Sequence, residues 1–439
     1  MSTSTWHNWS GLITARPEQI LQPRTEAEVC EIVSRAAEQR QRVKAVGAGH
    51  SFMPLAQTDG ILINLDHLSG VTSIDRDAMT ARILAGTRLR DIPDLLRPHG
   101  LALANQGDVD PQSLAGAIST GTHGTGIGHT GFAGMVRAFR IVTADGVLRH
   151  AYPGAPGPDG RLFDLARISL GAFGIVTEVE LDVVDTFILR ASERSESLSE
   201  TISHFEEHVR GSDHFEFYWF PHTDVVHAKR NARLPATEAI TPIPRWRKVA
   251  ADELTNNGVF GAMCQLASTF PRLTEPFAHL SAKFLDQREY SDYAHSVFVS
   301  ARRVRFNEME YSVPLADATE VLTEVRAALN RSDQHVLFPI EVRATAADNV
   351  PLSTAKGRES CYIAVHRFHR DDHEALFRQI EPILAAADGR PHWGKIHTLG
   401  FAELSERHED LAAAAELRAE VDPDGMFVND LVRRIFGIA

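Results

Sequence analysis

The stretch Val46-Gly47-Ala48-Gly49-His50-Ser51-Phe52 constrains this chain more than any other. Two glycines one residue apart let the backbone approach a ligand closely and aim successive N–H groups at it, and a histidine follows directly. The segment ahead of it is regular. Thr25-Glu-Ala-Glu precedes Val29, Ile32, Val33 and Ala36 at helical spacing, which predicts an N-capped helix, and Arg42 to Val46 then predicts a strand running into the loop. A strand that ends in such a nest places the His50 ring against whatever the backbone cradles.

A second glycine-rich stretch, 107–126, packs five glycines and five hydroxyl side chains into twenty residues with no sustained helical or strand period. Many N–H donors beside small hydroxyls suit a pyrophosphate. Between the two loops, strands are expected at 60–65 and 81–85 and a short helix at 89–98; an opening strand is expected at 11–15. Further strands are expected at 136–142, around His150, and after the glycine turn at 169–174. From about residue 185 the units lengthen. An aromatic strand at 215–220, an irregular proline-bearing stretch from Leu234 to Trp246, and strand-and-helix units at 308–329 and 336–387 predict an antiparallel sheet backed by helices. A proline and glycine turn at 421–430 closes the chain.

At 439 residues the chain is too long for one core. A formal charge of −13 repels phosphate backbones, so no nucleic-acid partner is expected. Cys30, Cys264 and Cys361 lack disulfide or zinc spacing and suit a reducing compartment. The start reads as no signal peptide and no apolar run reaches the roughly 20 residues of a membrane span, so a cytoplasmic location without a membrane span is expected. No histidine pair has metal-ligand spacing; His366 and His369, three apart in an alternating stretch, point to opposite faces.

In their joint order, several segments resemble the vanillyl-alcohol-oxidase class of flavoproteins, and within it the aldonolactone oxidase and alditol oxidase group, gulono- and arabinono-1,4-lactone oxidases included. They are Asn8-Trp-Ser-Gly, Gly47-Ala-Gly-His-Ser-Phe, Gln112-Ser-Leu-Ala-Gly-Ala-Ile-Ser-Thr-Gly-Thr-His-Gly-Thr-Gly, Phe173-Gly-Ile-Val-Thr-Glu-Val, Phe220-Pro-His-Thr-Asp, Glu341-Val-Arg, His392-Trp-Gly-Lys and Asp422-Pro-Asp-Gly-Met-Phe.

The resemblance implies an α+β, two-domain PCMH-type FAD-binding fold: an FAD domain over 1–185, a substrate or cap domain on an antiparallel sheet with helices over 186–415, and a segment 416–439 returning to the FAD domain. FAD is the implied cofactor, joined covalently through His50. Gly47, Ala48, Gly49 and Ser51 cradle it, Gly116, Ser119, Thr120, Gly121, Thr122, His123 and Gly124 belong to the pyrophosphate loop, and Ile175 lies beside the adenine. Ser113 contacts substrate. Glu341, Arg343, His366 and Lys395 line the substrate side of the flavin, Lys395 near N1 and the C2 carbonyl, where it stabilises negative charge on the reduced ring.

The implied reaction oxidises a hydroxyl carbon of a sugar-derived substrate by hydride transfer to flavin N5, with O2 or another acceptor taking the electrons. Aldono-1,4-lactones, alditols and nucleosides all remain open as substrates. Glu341 and Arg343, two apart in a strand-like stretch, share a face and present an acid–base group beside a cation. On pattern alone that pair reads as a surface ion pair, Lys395 as a solvated lysine, and His366 as a satisfied strand histidine. Glu341 and His366 stand equal as the base. A non-catalytic flavin-binding protein is the competing reading, and it predicts a broken set of these residues.

Overall fold

In a computed structural model, residues 5–244, 246–247, 257–283, 285, 287–300 and 302–439 are described. Thr25 caps the helix Glu26–Gln39, its hydroxyl accepting from the Glu28 N–H at 3.2 Å. Val29, Val33 and Ala36 form the buried stripe of that helix and pack with Val43, Ile61 and Ile63. Fully burying a valine of this kind contributes about 1.5–3 kcal/mol. The helix thereby clamps a three-stranded parallel sheet in which Ile61–Asn64 lies between Gln19–Leu21 and Val43–Val46.

Beside it runs a five-stranded antiparallel sheet in the order Leu148–Ala151, Val136–Val142, Ile175–Asp182, Thr80–Leu84, Val71–Asp75. The third layer is an antiparallel sheet of eight strands: Arg288–Tyr293, Phe187–Ser197, Val225–Pro235, His214–Trp219, Ile340–Thr345, Ser360–Phe368, Phe306–Pro314 and Arg390–Pro391. Helices Ala318–Arg331 and Glu374–Ala386 back it with apolar faces including Leu322, Val325, Leu376 and Ile380. The mixture is α+β.

The chain end returns to its beginning. Val43 N–H donates to the Met426 carbonyl at 3.0 Å, and the Asn429 amide donates to the carbonyls of Pro54, Leu55 and Gln57. The buried Lys44 donates to the carbonyls of Gly171 and Phe427, at 3.0 and 3.1 Å. Helix Leu411–Val421 packs on helix Pro158–Ala166.

Several local expectations change. The second glycine-rich stretch holds a helix, Leu114–Ser119, capped by Ser113; six residues are too few to display a period. Strand Val71–Asp75 was not anticipated because its outer positions are polar, and the chain closes on a further helix, Asp430–Phe436, capped by Asn429. The opening strand shrinks to Thr14–Ala15 and the 89–98 helix to Ile92–Leu96. The proline-bearing stretch is strand through Pro235 and bridges Thr241 to Ser291; Arg245 lies outside the described residues.

Candidate active site

A cleft opens where the loop after strand Val43–Val46 faces helix Leu114–Ser119 and the turn 169–174. Gly47, Ala48, Gly49, His50 and Ser51 all line it, as do Ser113, Gly116, Ser119 and Thr120. Close backbone packing explains the glycines. A Cβ on Gly47 would sit 2.1 Å from Ser113 Oγ, and one on Gly86 1.8 Å from the Leu65 carbonyl oxygen. The Ser113 hydroxyl accepts from Gly116 N–H at 3.4 Å, so it caps the helix that faces the cleft.

Gly121, Thr122, His123 and Gly124 do not line the cleft. The chain turns at Gly121, with φ +73°, and runs toward the eight-stranded sheet, where His123 stacks on Tyr362 at 3.6 Å. The Ile175 side chain is in the apolar core with Val142 and Phe427, whereas its neighbours Gly174 and Val176 face the cleft. Strand alternation accounts for that placement.

The His50 ring stacks on Trp9, centroids 5.1 Å apart. Burial, with Lys395 and Arg88 adding positive charge, lowers its pKa to about 4, so the ring is neutral with a free lone pair. A continuous aromatic contact leads onward: Trp9 meets Phe306 at 5.1 Å, and Phe306 meets His366 at 4.8 Å.

Glu341 and Arg343 share a face of strand Ile340–Thr345 and are 5% and 8% exposed, so the surface-pair reading fails. They pair with each other inside a larger buried set. Arg343 also binds Glu216 at 2.9 Å and Asp108 at 3.1 Å; Arg302 binds Asp108 at 2.5 Å and approaches Glu341 at 3.5 Å. The Tyr218 hydroxyl donates to Glu341 Oε1 at 3.2 Å. Burial raises the Glu341 pKa against the pull of Arg343, with Asp108 adding to the rise. Burial opposes the charge of Asp108 too, but Arg302 and Arg343 hold its carboxyl far below the usual range.

Lys395 and His366 meet at Glu308. Lys395 forms an ion pair with that carboxylate, lies 3.8 Å from Glu310, and sits over the Phe52 ring at 5.3 Å. His366 Nε2 is 3.5 Å from Glu308 Oε1. Burial alone would discharge Lys395, yet Glu308 and Glu310 raise its pKa, and Glu341 contributes in the same direction. One ammonium is thus within electrostatic reach of both His50 and Glu341, although Glu341, Arg343, His366 and Lys395 do not themselves line the cleft.

Two family matches divide the sequence: "FAD binding domain" covers residues 17–152 and "D-arabinono-1,4-lactone oxidase" covers residues 179–435. The chain belongs to the D-arabinono-1,4-lactone oxidase family. Among its relatives, L-gulono-1,4-lactone dehydrogenase of Mycobacterium tuberculosis is 37% identical over 98% of this chain and 99% of that protein. Alditol oxidase of a Streptomyces species is 31% identical over 99% of each. Among solved structures, cholesterol oxidase of B. sterolicum superposes with a TM-score of 0.85 at 16% identity, covering 99% of this chain and 97% of that one, which establishes a shared PCMH-type fold.

As a member of the D-arabinono-1,4-lactone oxidase family the chain takes FAD, and the cleft fits it. The loop glycines allow the approach that a flat ring and a pyrophosphate require, and Ser119 and Thr120 bring hydroxyls to the end of a short helix. Sequence reasoning missed Asp108, Glu216, Tyr218, Arg302, Glu308 and Glu310. One signal was available: Glu308-Met-Glu310 sets two carboxylates in an otherwise uncharged strand, which demands cations from elsewhere in the fold. It also missed that His123, Glu310 and His392 bring ligand-type atoms within 4.8 Å of one another. There His123 Nδ1 is taken by the Gly124 carbonyl, His392 Nδ1 accepts from Gly394 N–H, and Lys395 supplies the positive charge. Among the described residues no helix is long and apolar enough to cross a membrane.

Proposed function

We propose that the protein oxidises a hydroxyl-bearing carbon of an aldono-1,4-lactone, with FAD, bound covalently through His50, as hydride acceptor and O2 or another acceptor taking the electrons onward. The observation that carries the reading is that Lys395, in electrostatic reach of His50, shares Glu308 with His366 and is also in reach of Glu341 of the Glu341–Arg343 pair, on a fold built to hold FAD. When bound, FAD supplies the two-electron acceptor.

The side chains divide the remaining work. Glu341 is committed, with one oxygen held by Arg343 and Tyr218 and the other facing Arg302, so the pair orients substrate hydroxyls. His366 donates its Nδ1–H to the Pro339 carbonyl at 2.9 Å, and among the described residues its Nε2 has no closer partner than Glu308 at 3.5 Å, which makes it the base. Lys395 stabilises negative charge where the hydride arrives. Ser113 contributes a hydroxyl at the cleft wall. The neutral His50 nitrogen is in the state that forms a covalent bond. We further propose domains of 1–185 and 186–415, with 416–439 as the returning segment; the contacts of Val43, Lys44 and Asn429 support the return.

A panel of aldono-1,4-lactones, alditols and nucleosides tests the substrate, run aerobically and anaerobically with an artificial acceptor. Turnover on lactones above the others is expected. The 31% identity to an alditol oxidase makes alditols the second reading, and inactivity on every member sinks both. Yellow colour that survives acid precipitation, and is lost in His50→Ala, is expected for the covalent link; colour retained by the variant refutes that attachment point.

A further inference from the structure

Strand Phe306–Pro314 carries two carboxylates, Glu308 and Glu310, where a single one would suffice to hold Lys395 as a cation. They are two apart on one face, 4% and 5% exposed, and each raises the energy of the other's charge. The segment after Arg390–Pro391 lies along this strand, with His392 N–H donating to the Glu310 carbonyl and Ile396 N–H to the Glu308 carbonyl, both at 2.9 Å. That pairing hangs Lys395 between the two carboxylates. A histidine flanks each end.

Each histidine has an oxygen at both ring nitrogens. His123 has the Gly124 carbonyl 2.9 Å from Nδ1 and Glu310 Oε1 2.9 Å from Nε2. His366 has the Pro339 carbonyl 2.9 Å from Nδ1 and Glu308 Oε1 3.5 Å from Nε2. A backbone carbonyl only accepts, so Nδ1 carries the hydrogen in both rings, and the Nε2 contact is favourable when one further proton sits between nitrogen and carboxylate. The row His123, Glu310, Lys395, Glu308, His366 holds two negative charges and one positive. It is one proton short of neutrality and has two places for that proton. The 2.9 Å contact is a short hydrogen bond and the 3.5 Å contact lies at the limit of one, so the geometry favours the proton at the His123 end.

We propose that His123 and Glu310 are positioning residues that hold this single proton away from the substrate, so that His366 Nε2 stays free to receive the hydroxyl proton. Lys395 and Glu308 carry the influence between the two ends. The inference rests on His366 as the base. In the reaction the carbon loses a hydride, with both electrons, to FAD; the hydroxyl loses its proton to His366 Nε2; a carbonyl forms; and Glu308 then faces the imidazolium. The other groups facing the row are His392, whose ring is 5.7 Å from His123, Tyr362, stacked on His123 with its hydroxyl on Thr354, and Glu341 and His50, both in reach of Lys395. Phe306 and Phe338 pack on His366 without charge.

Two variants push in opposite directions. His123→Gln leaves Glu310 uncompensated, so the proton moves toward His366, and the acid limb of anaerobic flavin reduction shifts up by about one pH unit. Rates then fall up to about tenfold below the limb and match the wild type above it. Glu310→Gln removes the negative charge nearest Lys395 and shifts the limb down, and the double variant returns it close to the wild-type position, with KM unchanged throughout. Shifts in the same direction, or a loss equal at every pH, overturn the proposal. So does a stoichiometric metal ion in the purified protein. Histidine ring 15N shifts of the wild-type holoenzyme near pH 7.5 give a reading that depends on no variant: His123 doubly protonated and His366 singly protonated is expected, and the reverse pattern overturns the inference. His366→Asn separates the two layers, because an acid limb that survives it sinks the base assignment while the 15N pattern still reports where the proton lies.

Discussion

The cofactor cleft and the charged layer facing it are built on opposite plans. The cleft wall is backbone and small side chains, held so tightly that a Cβ on Gly86 would be 1.8 Å from the Leu65 carbonyl oxygen and one on Gly174 2.4 Å from the Val142 carbonyl oxygen. The charged layer is made of side chains from four strands and three connecting segments, and its members hold one another by ion pairs: Arg343 alone meets Glu216, Asp108 and Glu341. The first plan gives shape with little charge, Lys44 and Asp66 being its charged lining residues. The second gives charge whose placement depends on every strand keeping register. A cofactor common to many enzymes needs the first, and a substrate that must lose a proton and a hydride at one carbon needs the second.

The widest separation between the two plans is expected from a single methyl group in the cleft. Gly86→Ala places a Cβ against backbone that has nowhere to yield, with Leu65 O and Leu68 O both within 3.0 Å. The variant is expected to purify without flavin absorbance, or not to accumulate, while a methyl-sized change at the exposed Gly128, whose Cβ meets nothing within 4 Å, leaves flavin content unchanged. Equal flavin loading in the two variants breaks the idea that the cleft is a backbone mould.

In the charged layer the largest effect falls on Arg343. Arg343→Met keeps much of the side-chain volume but leaves three buried carboxylates with Arg302, with Lys229 3.8 Å from Glu216 and with Lys395 at longer range from Glu341. Removing one partner from a buried charge set destabilises by about 3–5 kcal/mol. A matching fall in denaturant midpoint at unchanged m-value is expected, together with loss of turnover in protein that still binds FAD. Arg343→Lys is expected to recover less than half of the stability, because one ammonium cannot serve three carboxylates in a planar fork. Full recovery by lysine removes geometry from the explanation and leaves charge alone.

The same contrast explains what the sequence made legible. His50 with its glycines, and Ser113 through Thr120, are contiguous, so their composition announced a ligand-facing loop before any pairing was known. Gly121 to Gly124 looked the same on paper, yet the turn at Gly121 carries His123 to a different partner, Glu310, 187 positions away. Period 2 correctly put Glu341 and Arg343 on one face, but their burial follows from facing Asp108 and Arg302, which no local pattern contains. Glu308 and Glu310 acquire meaning only when the 392–396 segment is laid along their strand. Backbone-made sites are written in short runs of residues, whereas sites made of side chains across strands are written in register.

Lys44 sharpens the comparison, a buried amine in the wall of a cleft whose other charged lining residue, Asp66, is paired with Arg88. Burial lowers its pKa to about 7, against the pull of Asp422, whose oxygens accept from Met426 N–H and Phe427 N–H. A neutral amine has two hydrogens, and Lys44 has two acceptors, the carbonyls of Gly171 and Phe427. Lys44→Met strands both carbonyls and is expected to destabilise by about 1–3 kcal/mol. The sign with pH follows from linkage. The folded value lies below the unfolded value of 10.5, so between pH 7 and 10.5 the unfolded chain binds more protons, and this group's contribution to stability grows as pH rises. The gap between wild type and Lys44→Met in denaturant melts is therefore expected to widen above pH 7, by up to about 1 kcal/mol per pH unit, and to be flat below it. A gap that narrows with rising pH means the lysine is held as a cation by Asp422, and the cleft wall then carries a fixed positive charge.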